Sequence, residues 1–338
     1  MFEMDKLVSL ICGKLPDGIT FKPSDVNLTD YFITTEKEEA EEQDTVTMNE
    51  WEESAKSIPI TPKYPRDSNV IAIDSTSFTL GHIPDGIIGA VRLSVIEKPL
   101  GRPTPRLERY GPYLVDITNQ NKDAKYRALV KAVYGQETDV SAPDCFKTLD
   151  RVRNLLERQI QLDVARKFQR SLILLDGSLI GATIANPLFV MRNMIDHASI
   201  SNNTLIAISK STNLTLLNSR RNILSLLEGV DGPCYIGSIK EHISQNKGRY
   251  LGDIYVAKLT PRGEAFRIDI PRNAPISHTD AIAQVAGLAG DYGYPEELKL
   301  AHMTSVLSSL EIIELQSAAM GLYDLDLREE IRQKIFPL

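Results

Sequence analysis

The chain has 338 residues, of which 42% are hydrophobic and 25% charged, the composition of one large globular domain or two small ones. A formal charge of -7 argues against a protein that coats nucleic acid by unassisted electrostatics, since such binding rests on Lys and Arg neutralising phosphates. No apolar run approaches the roughly 20 residues that span a bilayer, and the start "MFEMDKLVSLICGKLPDG" lacks a basic leader and cleavage signal, so the expectation is a cytoplasmic protein without a membrane partner.

Residues 1-66 read as a helical and acidic N-terminal region, ahead of a domain at 67-338. The acidity is concentrated in "TEKEEAEEQDTVTMNEWEES" at 35-54, without which the remainder is close to neutral; a solvated helix or mobile arm is its plainest reading. "PKYPRDS" reads as a linker, and "NVIAIDSTSF" as a strand ending at Asp74. "GHIPDG" is the expected turn into a second strand, "DGIIGAVRLSVIEKP", and "PYLVDI" is a weaker third.

From Asp144 to Gln169, Leu149, Val152, Leu156, Ile160 and Val164 recur at intervals of three and four, the period of an amphipathic helix, with Pro143 and Asp144 as start signals. "SLILLD", a continuous apolar run like a fully buried strand, stops at Asp176, and "NTLIAISK" at 203-210 repeats its form. "NLTLLNSRRNILSLLEG" reads as a helix, "GDIYVAKLT" and "EAFRIDI" as a hairpin around "PRG", and two helices near 278-289 and 295-321 close the chain.

A meander of strands, a helix, then alternating strands and helices is the order of an RNase H-like α/β fold, with a mixed central sheet, flanking helices, and N-terminal and C-terminal helical extensions. In such a sheet the first and fourth strands are parallel neighbours, which brings Asp74 beside Asp176. Paired carboxylates repel unless a cation neutralises them, and oxygen-only ligands suit manganese or magnesium (Mn2+ or Mg2+). A third carboxylate is expected from the preceding helix. Glu157 borders its buried face; Asp150, near the helix start, and Asp163, nearer its exit, are the competitors. Each ending also has a plain reading as an Asx-turn or a helix cap.

His302 lies seven residues after Pro295, two helical turns along the same face. It is either a core-facing histidine or an imidazole turned toward a metal or phosphate, with Tyr294 as a phosphate contact or stacking ring. The remaining histidines and the three cysteines are scattered, without the spacing of a zinc site or redox pair. Basic residues collect at Lys147, Arg151, Arg153, Arg158, Arg166, Lys167 and Arg170, at Arg220 and Arg221, and in "KGRY" at 247-250. They read as a phosphate-tracking surface or as scattered solubilising charge.

The succession "AIDSTS", "LLERQIQLDVARK", "LILLDGSL", "IAISKS", "GDIYVAKL", "FRIDI" and "GYPEELKLAH" resembles the motifs of the NurA family over about residues 69 to 320. The resemblance implies a manganese-dependent nuclease acting on single-stranded DNA and 5′ to 3′ on duplex ends. It further implies a homodimer that works with the hexameric HerA translocase in end resection for recombinational repair. Position by position it implies Asp74, Glu157 and Asp176 as acidic metal ligands with His302 as a further ligand, these four and Tyr294 as the catalytic set, and Lys210 as a contact to DNA phosphate. The family's first motif continues Asp-Gly, whereas Ser75 follows Asp74 here. That departure favours a second reading, a silent adaptor of the same fold that docks on a helicase. A phosphotransferase is disfavoured, because no Walker-type glycine loop occurs in the chain.

Overall fold

A computed structural model of the chain describes residues 4-12, 45-46, 56-183, 186-216, 220-243, 247-323 and 325. The acidic segment at 35-54 lies outside the described residues except for 45-46. In chain order the elements are α1 (Met4–Val8), β1 (Thr45–Val46), β2 (Ile58–Pro59), β3 (Asn69–Ile83), β4 (Gly86–Lys98), β5 (Arg106–Thr118), α2 (Lys122–Tyr134) and α3 (Cys145–Lys167). They continue as β6 (Ser171–Asp176), α4 (Leu188–Ile200), β7 (Thr204–Ser209), β8 (Thr215–Leu216), β9 (Cys234–Ile236), β10 (Asp253–Lys258), β11 (Ala265–Ile270), α5 (His278–Leu288), α6 (Glu296–Ser305) and α7 (Ser309–Met320).

The main sheet has the order β2-β9-β10-β11-β7-β6-β3-β4-β5. One end of it is an antiparallel meander, β3 to β5, with β5 at the edge; β6 then pairs parallel to β3 and β7 parallel to β6. That is the RNase H-like arrangement, extended on the β7 side by the antiparallel β11, β10, β9 and β2.

Alternation along the strands sorts side chains onto two faces. Ile71, Ile73, Ile173 and Leu175 face α1 to α4, together with Leu149, Val152, Leu156 and Ile160 of α3. Val70, Ala72, Leu172 and Leu174 face α5 and α6. Leu156 and Ile160 are closed to solvent, each contributing about 2 kcal/mol by burial. Asp144 caps α3, its carboxylate accepting from the Lys147 N–H at 2.9 Å. The helix lies close on β4, where a side chain at Gly89 would collide with Leu149.

Several sequence expectations are corrected. Asp74 does not end its strand: β3 runs 15 residues to Ile83, and Ser75, Thr76 and Ser77 pair with Leu93, Arg92 and Val91 of β4. The hydroxyls that read as a turn are accommodated because each finds a side-chain partner. The turn into β4 is only Pro84 and Asp85, since Ile83 already pairs with Gly86. "PYLVDI" belongs to a 13-residue strand, and the helices α2 and α4 had not been expected.

The helix expected in "NLTLLNSRRNILSLLEG" is instead the short β8 and a 3-10 turn at Ile223–Leu227, with 217-219 outside the described residues. Asn222 decides this locally: its side chain accepts from Leu224 N–H at 2.9 Å and donates to Thr212 C=O, which ends one segment and starts the next. The helix expected at 295-321 is broken into α6 and α7, because Ser308 and Glu311 form a capping box that starts a new helix.

Candidate active site

The register explains how two carboxylates become neighbours. Ile73 pairs with Leu175 in parallel strands, so Asp74 and Asp176 lie side by side and both project toward the α5 and α6 face. β6 ends at Asp176 while β3 continues, which opens a notch in the sheet beside the second half of β3. Ser75 projects to the opposite face, where its Oγ donates to Glu157 Oε2 of α3. The notch is where side chains from both faces of the sheet converge, with Asp74 in the middle.

Each carboxylate is held by protein donors. Asp74 Oδ2 pairs with His302 Nδ1 of α6 at 2.7 Å, and Asp74 Oδ1 accepts from Ser75 N–H at 2.7 Å. Asp176 Oδ2 meets Lys210 Nζ at 2.7 Å, and Lys210 lies over the Tyr294 ring at 4.8 Å. Glu157 Oε1 accepts from Gln161 Nε2 at 2.7 Å, and Arg153 Nη1 donates to Ser75 C=O at 3.3 Å. All six residues singled out in the sequence, Asp74, Glu157, Asp176, Lys210, Tyr294 and His302, are thus linked through this one notch. The competitors are not: Asp150 takes the hydroxyl of Ser77 at 2.9 Å, and Asp163 the amide of Gln159 at 3.0 Å.

The electrostatics follow from that crowding. Burial, with the negative charge of Asp74 adding to it, pushes the half-buried Glu157 up to about 7, against the opposing effect of Arg153 and Ser75. Asp176 is raised by burial and then by Asp74, while Lys210 and the Tyr294 hydroxyl oppose the rise. His302 is raised above the ordinary imidazole range chiefly by its bond to Asp74.

Among the described residues, no group of three or more His, Cys, Asp or Glu side chains is already drawn together in ligating geometry. The donor types nonetheless suit a hard divalent cation: three carboxylates reach this notch from β3, β6 and α3, and the charge of Asp74 adds to the burial that raises the other two. Lys210 pairs with Asp176 and the His302 imidazole with Asp74.

Sequence reasoning missed Ser75 as a link between two carboxylates, because the signal is the strand alternation that places residues 74 and 75 on opposite faces. It also missed Arg153, which reads in the sequence as one more surface cation.

A family model described as the NurA domain matches residues 68–307. The match spans well over half of the chain, and the chain belongs to the NurA family. Among solved structures, the chain is similar to the NurA nuclease from Sulfolobus solfataricus, with 15% identity over 81% of this chain and 89% of that one and a TM-score of 0.48. It is similar to another NurA structure at 11% identity, covering 82% of this chain and 92% of that one, with a TM-score of 0.45. Endonuclease V from Streptomyces avermitilis follows at 9% identity, 78% and 86% coverage and a TM-score of 0.35. No curated protein matches the chain. Among the described residues, no helix is long and apolar enough to cross a membrane.

Proposed function

We propose that the protein is a divalent-metal-dependent deoxyribonuclease that hydrolyses phosphodiester bonds at the notch between β3 and β6. The observation that carries this reading is the placement of Asp74, Asp176 and Glu157 about that notch, with the Lys210 ammonium and the His302 imidazole adjoining them. Membership of the NurA family supports the same class of reaction.

Asp74, Asp176 and Glu157 are the residues that would hold Mn2+ or Mg2+. When bound, such an ion supplies Lewis acidity toward water and phosphate oxygens. His302 is oriented by Asp74 through Nδ1, which makes Nε2 the ring atom that exchanges a proton with the reacting groups. Lys210 Nζ, held between Asp176 and the Tyr294 ring, is the cation placed to neutralise a DNA phosphate at the notch.

Resemblance to the family supports the finer reading: 5′ to 3′ exonuclease and single-strand endonuclease activity, a homodimer, and cooperation with a HerA-type hexameric translocase in end resection. A translocase that delivers the strand also accounts for an acidic nuclease, since capture by the enzyme's own field is then unnecessary. The adaptor reading rested on Ser75. In the structure Ser75 lies in regular strand, is not among the residues with positive φ, and binds Glu157, so its side chain leaves the carboxylate set intact.

The test is cleavage of 5′-labelled and 3′-labelled single-stranded and duplex DNA with Mn2+, Mg2+ or EDTA, using wild type beside Asp176→Asn. Metal-dependent cleavage that disappears in the variant is expected. No cleavage by wild type, even with the translocase added, would transfer the reading to the adaptor.

A further inference from the structure

The turn after Asp176 is fixed by residues that lie outside the carboxylate set. Gly177 leaves β6 at φ 106°, a conformation open to glycine, and its N–H donates to Ile208 C=O at 3.0 Å. Two residues on, Leu179 N–H donates to Asp269 Oδ2 at 2.9 Å. Asp269 stands on β11, where Arg267 meets it side-on, Nε to Oδ1 at 2.8 Å and Nη2 to Oδ2 at 2.8 Å.

Both side chains are closed to solvent, at 0% and 1% exposure. The same guanidinium reaches Thr212 Oγ1 at 3.4 Å, two residues past Lys210, and lies against the Tyr250 ring at 5.4 Å. The "KGRY" segment, read in the sequence as surface charge, is therefore part of this device. The backbone of this segment and of the residue after it also grips the turn directly: Gly181 N–H donates to Arg249 C=O at 2.8 Å and Leu251 N–H to Leu179 C=O at 2.9 Å.

A fully buried ion pair is a poor source of stability, because desolvation offsets most of its Coulomb attraction. This pair does something more specific. It presents a carboxylate oxygen in one fixed place to the N–H three residues beyond Asp176, and a guanidinium to the segment that follows Lys210.

We infer that Arg267, Asp269 and Tyr250 form a clamp of positioning residues that sets the exits of β6 and β7, and thereby the placement of Asp176 and Lys210 at the notch. The inference rests on the metal-dependent reading above and adds to it the groups that preorganise the centre.

The experiment compares wild-type full-length protein with the double variant Arg267→Met, Asp269→Leu, which removes both charges and keeps apolar volume. Mn2+ affinity is measured by calorimetry, and Leu179 amide exchange by hydrogen-deuterium exchange without metal. Expected in the folded variant are at least tenfold faster Leu179 exchange and Mn2+ binding weaker by about tenfold or more, the scale typical of lost outer-shell support. A folded variant with wild-type exchange and wild-type affinity overturns the clamp and leaves the metal reading standing. A wild-type protein that binds no Mn2+ overturns the metal reading first, and the inference with it. Should the double variant not fold, Tyr250→Leu removes only the ring face; smaller changes in the same direction support the clamp, and no change in either readout overturns it.

Discussion

Replacing Glu157 by glutamine isolates what it costs to keep a carboxylate in the notch. Without metal, burial raises this group from 4.5 to about 7, so the folded protein retains its proton over a range in which the unfolded chain has released it. Linkage fixes the sign. The folded pKa is raised, so the stabilising contribution is fully present below pH 4.5 and is lost as the pH rises through about 7. That interval corresponds to about 3 kcal/mol. Partial access of the side chain to solvent makes this an upper figure.

The glutamine retains an acceptor for the Ser75 hydroxyl and never ionises; it gives up the bond from Gln161 Nε2, a loss that is the same at every pH because Gln161 does not titrate. Urea unfolding in EDTA at about pH 5 and about pH 8 reads the difference. Wild type should lose up to about 3 kcal/mol more than Glu157→Gln between the two conditions, and the variant should be the more stable at the higher pH. Added Mn2+ should stabilise wild type at the higher pH and the variant much less. Parallel pH dependence in the two proteins would refute the reasoning, because the other titrating groups are common to both.

Further outcomes follow from the same geometry. Ser75→Ala should weaken Mn2+ binding by about tenfold in calorimetry, since Glu157 loses a donor that holds it at the notch, while Ser75→Thr should largely preserve it. His302→Asn should lose stability at a pH near 6 more than near 9 in EDTA unfolding: the raised imidazole contributes below its unfolded value and ceases to contribute above its folded one. Arg92→Met should cost about 3 kcal/mol in urea unfolding, because Glu311 is left nearly buried without the cation that now meets it at 2.6 Å. Adding a HerA-type hexamer should raise cleavage of duplex ends, measured as initial rate at fixed nuclease concentration; an unchanged rate removes that partnership from the proposal.

The central elements were legible because their signals are local. "SLILLD" announces a strand buried on both faces, and the spacing of Val152, Leu156 and Ile160 announces a helix with Glu157 at its margin. The run Ser75 to Ser77 was misread because hydroxyl residues serve turns and half-buried strands equally well, and only the partners Glu157, Ser305 and Asp150 decide between them. Those partners lie 82, 229 and 73 positions away in the chain, beyond the reach of any window. Arg267 and Asp269 were invisible for a similar reason: "FRIDI" shows strand alternation, but nothing in it says that its charged residues face inward.

The strand alternation also explains why α6 is attached as it is. Helices usually dock on sheets through apolar stripes, yet the buried side of α6 includes Glu297, Thr304 and Ser305 beside Leu298 and Ala301. These polar groups meet a matching ladder on β3 and β4: Ser94 with Thr304 at 2.6 Å, Thr76 with Ser305 at 2.9 Å, and Lys98 with Glu297 at 2.6 Å. An apolar interface tolerates sliding with little loss. A ladder of buried hydrogen bonds does not, because a slip of one residue leaves donors and acceptors desolvated and unmatched, at about 1 to 3 kcal/mol each. The polar docking surface therefore fixes the register of α6, and the register is what puts His302 within 2.7 Å of Asp74. The same hydroxyl-rich stretch that obscures the strand in the sequence is what aligns the histidine in the fold.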